Sequence, residues 1–162
     1  MNRPVLITRV FDAPRAKLWS AWTEVEQIKK WWGPANFSAP EIKIDLRVGG
    51  KYLYCMHGAP GPGMPKQDFY SGGTIKEIVP EQKIVILDSF TDKDGNIIPS
   101  SSYGMEGFPD QMEVTITFED AAKDKTKLTI AYTQAVPKEH FTNMTSGWNS
   151  SLDKLVKLVG NS

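Results

Sequence analysis

The spacing of apolar and polar residues changes twice along this 162-residue chain. The run Val5-Leu6-Ile7-Thr8-Arg9-Val10-Phe11 is rich in β-branched residues and predicts a first strand. Asp12-Ala13-Pro14 stops it. Pro14, whose missing N–H is not needed at a helix start, opens a helix over 14–23 with Leu18, Ala21 and Trp22 at helical spacing. A second short helix, about Glu24 to Trp31, ends near Gly33-Pro34. The period then becomes two. Ile42, Ile44 and Leu46 alternate with Glu41, Lys43 and Asp45, Gly49-Gly50 turns the chain, and Tyr52, Tyr54 and Met56 alternate with Lys51, Leu53 and Cys55. Phe69 to Val79 and Lys83 to Thr91 are two further strands joined at Pro80-Glu81. In the last pair, Met112, Val114, Ile116 and Phe118 share one face, as do Leu128, Ile130 and Tyr132. Helical period returns after Pro137, where Phe141, Met144, Trp148, Leu152, Leu155 and Val159 form one apolar stripe.

The predicted order is β-α-α-β-β-β-β-β-β-α. Six successive strands joined by short turns form an antiparallel meander. Such a half-apolar sheet must cover one face, and the long C-terminal helix is the available cover. The fold class is therefore α+β. No repeat, low-complexity tract or linker divides the chain, so residues 1–162 are expected to form a single domain.

Composition then narrows the function classes. Nineteen Lys+Arg balance nineteen Asp+Glu, which argues against nucleic acid as a partner because phosphate neutralisation needs a basic excess. One cysteine allows no internal disulfide and no thiolate-rich zinc site. No apolar run is long enough to span a bilayer, and Met1-Asn2-Arg3-Pro4 has no signal-peptide core; a soluble, cytoplasmic protein is expected. The unusual stock is aromatic and thioether: five Trp, five Tyr, seven Phe and six Met.

Two connections break the short-turn pattern, 58–66 and 92–110. In a meander they fall at the same end as the start of the long helix, where a lid and a tolerated insertion are both open readings. Tyr52, Tyr54, Met56, Met112, Val114 and Phe118 fall on the face that Met144 and Trp148 cover. Large aromatics and flexible methionines there suit either an apolar ligand pocket or a filled core. Catalytic signals are thin. Ser100-Ser101-Ser102 lacks a nucleophile-elbow context, and the glycines of 58–63 alternate with prolines rather than cradling a phosphate. Cys55 and His57 share a strand face without further metal ligands nearby, so no metal, cofactor or catalytic residue is assigned.

Several blocks carry a resemblance. Arg9-Val10-Phe11-Asp12-Ala13-Pro14 with Leu18-Trp19-Ser20-Ala21-Trp22-Thr23, then Trp31-Trp32-Gly33-Pro34, Asp45-Leu46-Arg47-Val48-Gly49-Gly50, Glu77-Ile78-Val79-Pro80-Glu81 and Gly147-Trp148-Asn149-Ser150-Ser151-Leu152 run along nearly the whole chain. With them the sequence resembles the family of Hsp90-ATPase-activator homologues (AHSA1-like), within the SRPBCC superfamily. The resemblance implies a START-like or Bet v 1-like helix-grip fold, a curved antiparallel sheet wrapped around the C-terminal helix. It also implies an apolar cavity and a small hydrophobic guest, lipid or polyketide-like. The wall expected for that guest is Trp22, Trp32, Phe37, Tyr52, Tyr54, Met56, Phe69, Met112, Met144 and Trp148. The alternatives are a cyclase or hydrolase, for which His57, Asp88 or Tyr54 would supply acid–base groups, and a protein-interaction module. Eukaryotic Hsp90 activators resemble this domain only in their C-terminal part, so an Hsp90 partnership is not expected here. Homodimerisation is left open.

Overall fold

A computed structural model describes residues 2–159. The elements follow in the order β1 (Asn2–Phe11), α1 (Arg15–Thr23), α2 (Val25–Trp31), β2 (Ser38–Ile44), β3 (Lys51–Gly58), β4 (Gln67–Val79), β5 (Lys83–Thr91), β6 (Gln111–Ala122), β7 (Lys125–Pro137) and α3 (Lys138–Val159). The seven strands form one antiparallel sheet in the order β1-β7-β6-β5-β4-β3-β2. The meander therefore runs from β2 to β7, and β1 completes the sheet beside β7. This is the helix-grip α+β fold, with α3 lying across one face.

Two local readings need correction. Pro14 caps α1 from outside rather than starting it: its backbone is extended, and its carbonyl accepts from the Lys17 and Leu18 N–H groups. β2 ends at Ile44, so Leu46 is not in phase with it; it stands 40% exposed. The chain leaves the sheet there because Asp45, Arg47 and Gly50 form a tight turn, closed by Arg47 N–H to Asp45 C=O and Gly50 N–H to Arg47 C=O. The long 92–110 connection has structure of its own. It starts as a small hairpin, with Thr91 bridged to Ile97, and contains a 3₁₀ turn over Ser100–Tyr103.

Register places the core. Ile78, Ile84, Ile116, Ile130 and Ile7 lie in one row across five strands. Period-two alternation puts the whole row on the covered face. One row on, Phe118 and Leu128 pair beneath α1, and Trp19 and Trp22 meet the Phe118 ring edge-on at 5.2 and 6.0 Å. Phe118 thus belongs to the filled core, not to a pocket. Trp31 is completely buried, and its indole N–H donates to the Ala21 carbonyl at 2.8 Å. That bond satisfies an acceptor at the α1 end and locks the two short helices together.

Long-range polar bonds position α3. On one side Arg9 of β1 reaches Asp153 at 2.7 Å and Asn149 Oδ1 at 2.9 Å. On the other, the Lys154 ammonium donates to the carbonyls of Trp32, Pro34 and Phe37 at 3.2–3.4 Å, and Ser150 Oγ accepts from the Ala35 N–H. The helix consequently packs on β1, β7, α1 and α2 and stands off from the middle strands. Its apolar stripe divides accordingly: Leu152, Leu155 and Val159 are buried, while Phe141, Met144 and Trp148 are only half-buried. No helix among the described residues is long and apolar enough to cross a membrane.

Replacing Trp31 by Phe removes the indole N–H, leaves the Ala21 carbonyl unpaired and opens a void. We expect it to lower the unfolding free energy by about 2–3 kcal/mol, measured by urea denaturation. Trp19→Phe, at a half-buried position, should cost less than about 1 kcal/mol.

Candidate functional site

Where α3 stands off the sheet, a cavity of about 640 Å³ opens between its N-terminal half and strands β3 to β7. All ten residues named from the sequence contribute to its wall: Trp22, Trp32, Phe37, Tyr52, Tyr54, Met56, Phe69, Met112, Met144 and Trp148. The wall also takes Ile86, Asp88, Phe90, Tyr103, Met105, Phe108 and Tyr132, which sequence reasoning left out of that set. Of the acid–base candidates, Asp88 and Tyr54 reach the cavity. His57 does not: it pairs with Asp68 at 2.8 Å on an exposed part of β3 and β4. Cys55 is buried on the opposite side of β3, where burial pushes its thiol up to about 11. No group of three His, Cys, Asp or Glu among the described residues is placed to hold a metal ion.

Two chains of aromatic rings shape the wall. Deep inside, Trp148 lies parallel to Trp22 at 6.1 Å and edge-on to Trp32 at 5.5 Å. Trp32 meets Tyr54 at 4.8 Å, and Tyr54 meets Tyr52 at 5.2 Å. Offset and edge-to-face contacts of this kind hold large side chains in fixed rotamers, so the wall keeps its shape. Around the mouth, Phe37, Phe69, Tyr103, Phe90 and Phe108 follow one another at centroid distances of 5.3–6.0 Å. The 92–110 segment is pinned here on both sides. Tyr103 donates to the Thr91 carbonyl at 2.6 Å, and His140 of α3 bonds the Glu106 carbonyl at 2.6 Å.

Two polar side chains of the cavity, Tyr52 and Asp88, share one cross-strand row. Ile44, Tyr52, Gly73, Asp88 and Met112 stand side by side on β2 to β6. Gly73 decides what that row can do. A Cβ at that position would lie 3.3 Å from the Tyr52 hydroxyl and 1.8 Å from the Leu87 carbonyl oxygen. With no side chain in between, the Tyr52 ring lies over β4 and donates its O–H to Asp88 on the strand beyond. Tyr132, one row on, accepts from the Trp148 indole N–H at 2.9 Å and keeps its own O–H proton for another acceptor.

This environment holds Asp88 out of its ordinary range. Burial raises its carboxyl from 3.8 to about 6, opposed by the hydrogen bonds from Tyr52 and the Ser89 N–H. Burial first, and the Asp88 charge second, push the Tyr52, Tyr54 and Tyr132 phenols upward, so all three stay neutral donors. Lys154, the nearest ammonium to the 32–37 segment, is lowered by burial and committed to its three carbonyls. A separate hollow of about 360 Å³, between Lys43, Lys51, Thr74 and the 94–97 turn, lies on the outer face and has no such ring wall.

The model of the family described as "Activator of Hsp90 ATPase homolog 1-like protein" matches residues 12–160. The chain belongs to this AHSA1-like family. Solved relatives of similar size share the fold. Protein CV1439 from Chromobacterium violaceum is 25% identical with a TM-score of 0.73, covering 99% of each chain. The AHSA1 protein from Silicibacter pomeroyi is 20% identical with a TM-score of 0.72, covering 96% of each. CalU16 from Micromonospora echinospora is 24% identical with a TM-score of 0.61, over 95% of this chain and 74% of its own. A search of curated protein sequences gives no match. Within this AHSA1-like chain, the family-like Trp-Trp-Gly-Pro block is structural as well as cavity-forming: Trp31 is buried beneath, while Trp32, Gly33 and Pro34 line the cavity.

Two experiments check the site. Because folded Asp88 holds its proton more tightly than the unfolded chain does, stability should fall as pH rises from about 4 to about 6 and level off above. At pH 7.5 the ionised carboxyl costs the fold about 3 kcal/mol. Asp88→Asn, which still accepts from Tyr52, should therefore be the more stable protein at pH 7.5 and lose that advantage at pH 4 in urea titrations. A pH-independent difference contradicts the assignment. Separately, Gly73→Ala should cost about 2 kcal/mol or more and disturb the tyrosine near-ultraviolet dichroism, because the β4–β5 pairing has to shift.

Proposed function

We propose that this AHSA1-like chain, residues 1–162 acting as one domain, binds a small and predominantly apolar molecule in the cavity beneath α3. The observation that carries the reading is the cavity itself. It has the volume of a small-molecule site, an aromatic and methionine wall, and polar groups among which Tyr52 and Asp88 are paired. Met56, Met112 and Met144 let the wall repack around guests of differing shape, and the tryptophans supply rigid contact area. The pinned 92–110 segment and Pro60 sit at the mouth and control access. A lipid or polyketide-like guest fits this description, and the reading includes a cytoplasmic location.

A second reading rests on the Tyr52–Asp88 pair. A carboxyl held near 6 inside a dry wall suits general acid–base chemistry on a bound polyketide-like substrate. The neighbouring phenols of Tyr54 and Tyr132 would stabilise oxygen charge. It supports an enzyme of the cyclase type, with Asp88 in place of His57 as the titrating group.

The neutral dye N-phenyl-1-naphthylamine tests the first reading. Its fluorescence should rise on binding, with tryptophan emission quenched in step, since Trp22, Trp32 and Trp148 line the cavity. Filling the cavity with Ile86→Trp, or truncating the wall with Tyr52→Ala/Trp148→Ala, should weaken binding at least tenfold while circular dichroism stays native. Undiminished dye binding in both folded variants rules this cavity out as the site.

A further inference from the structure

The cavity's ionisable groups are of one sign. Asp88 lies deep in the wall and Asp110 at the mouth, and no Lys, Arg or His among the described residues lines the cavity. Asp110 is already engaged, since its Oδ1 accepts from the Ser100 N–H at 2.9 Å. Asp88 is not fully used. A carboxylate has about four acceptor sites. Its protein donors are the Tyr52 O–H and the Ser89 N–H. Among the described residues no ion pair forms on it, and Lys154, whose ammonium donates to the Trp32, Pro34 and Phe37 carbonyls, does not line the cavity. The groups in electrostatic reach of Asp88 are Tyr52 and Tyr54 on β3 and Tyr132 on β7, Met112 stands beside it on β6, and α3 contributes Asn143, Met144, Gly147, Trp148 and Ser151 to the cavity wall. None of them carries positive charge.

Such a carboxylate, walled by ring faces and with acceptor sites turned to the cavity, calls for a guest with donors and a positive charge. We propose that the guest is a lipophilic amine whose ammonium group pairs with Asp88 while its apolar body lies against the tryptophans and methionines. The geometry supports this in two ways. An ammonium beside Asp88 lies next to the Tyr52 and Tyr54 rings, from which the aromatic chain runs on to Trp32 and Trp148, and aromatic rings attract cations. It also relieves the desolvated carboxylate, which otherwise carries its charge without a counter-ion. An anionic guest meets the like charges of Asp88 inside and Asp110 at the mouth, with no cation on the wall to offset them. A neutral guest leaves the Asp88 charge unpaired.

The inference rests on the apolar-ligand reading, and a matched probe series separates the two. Calorimetric titrations with 4-phenylbutylamine, 4-phenylbutanol and 4-phenylbutyrate compare one apolar body with three head groups. At pH 7.5 the amine should bind at least tenfold more tightly than the alcohol, and the carboxylate should bind weakest. The amine preference should shrink in Asp88→Asn. In the unaltered protein it should also shrink from pH 7.5 to pH 4.5, as Asp88 takes up its proton, which keeps the test independent of how the variant folds. Equal binding of amine and alcohol overturns the amine assignment and leaves the apolar-ligand reading standing. Tightest binding of the carboxylate overturns it as well. Failure of all three probes together with N-phenyl-1-naphthylamine overturns both readings.

Discussion

One helix cannot cover a sheet seven strands wide. Strands about 4.8 Å apart make the sheet roughly 29 Å across, while a helix with its side chains is about 10–12 Å in diameter. Much else in this molecule follows from that mismatch. α3 is drawn to one side, over β1 and β7 and against α1 and α2, by the Arg9 and Lys154 bonds at its two flanks. The two short helices and the turn after them close one end of the uncovered area with Trp22, Trp32 and Pro34. The remainder, over the middle strands, is the cavity. Its apolar wall is the ordinary inner face of a half-buried sheet, left without a packing partner.

Within that face the row through Gly73 is the exception. The neighbouring row is apolar at Ile75, Ile86 and Val114. The absence of one side chain on β4 lets a tyrosine on β3 reach an aspartate on β5. The pair is polar and lines the cavity, Tyr52 buried and Asp88 half-buried, and desolvation is more costly for the ionised carboxylate than two hydrogen bonds repay, which is why Asp88 titrates near 6 rather than near 4. A group that costs folding free energy in this way is characteristic of a working site rather than of a core.

The family assignment and the cavity lead in the same direction from different starting points. Membership of the AHSA1-like family accounts for the helix-grip fold. It does not by itself distinguish a carrier from an enzyme, because function resides in the site and not in the fold. The chemistry of this chain's own wall makes that distinction sharper. On the proposed reading, the aromatic and methionine surface is the source of affinity without much shape selectivity, and the Asp88 carboxylate among neutral phenols is the source of selectivity for the head group.

Elements and faces were legible in the sequence because they depend on local periods. The alternation of Tyr52, Tyr54 and Met56, and the three- and four-residue spacing from Phe141 to Val159, each put side chains on one face whatever the rest of the chain does. That is why ten wall residues named from spacing and family resemblance all reach one cavity. A signal for Asp88 was also present, since it lies in phase with Ile84, Ile86 and Phe90 on β5, an acid on an otherwise apolar face. Its meaning was not local. Tyr52 and Asp88 are 36 residues apart and meet only through the register of three strands and a glycine between them. The same holds for Phe118, which shares the face of Met112 and Val114 but lies under Trp19 and Trp22 in filled core. Periodicity determined which side of the sheet each residue faces. How far α3 stands from each row, and therefore which rows are packed and which are open, was decided by long-range bonds that only the tertiary structure brings together.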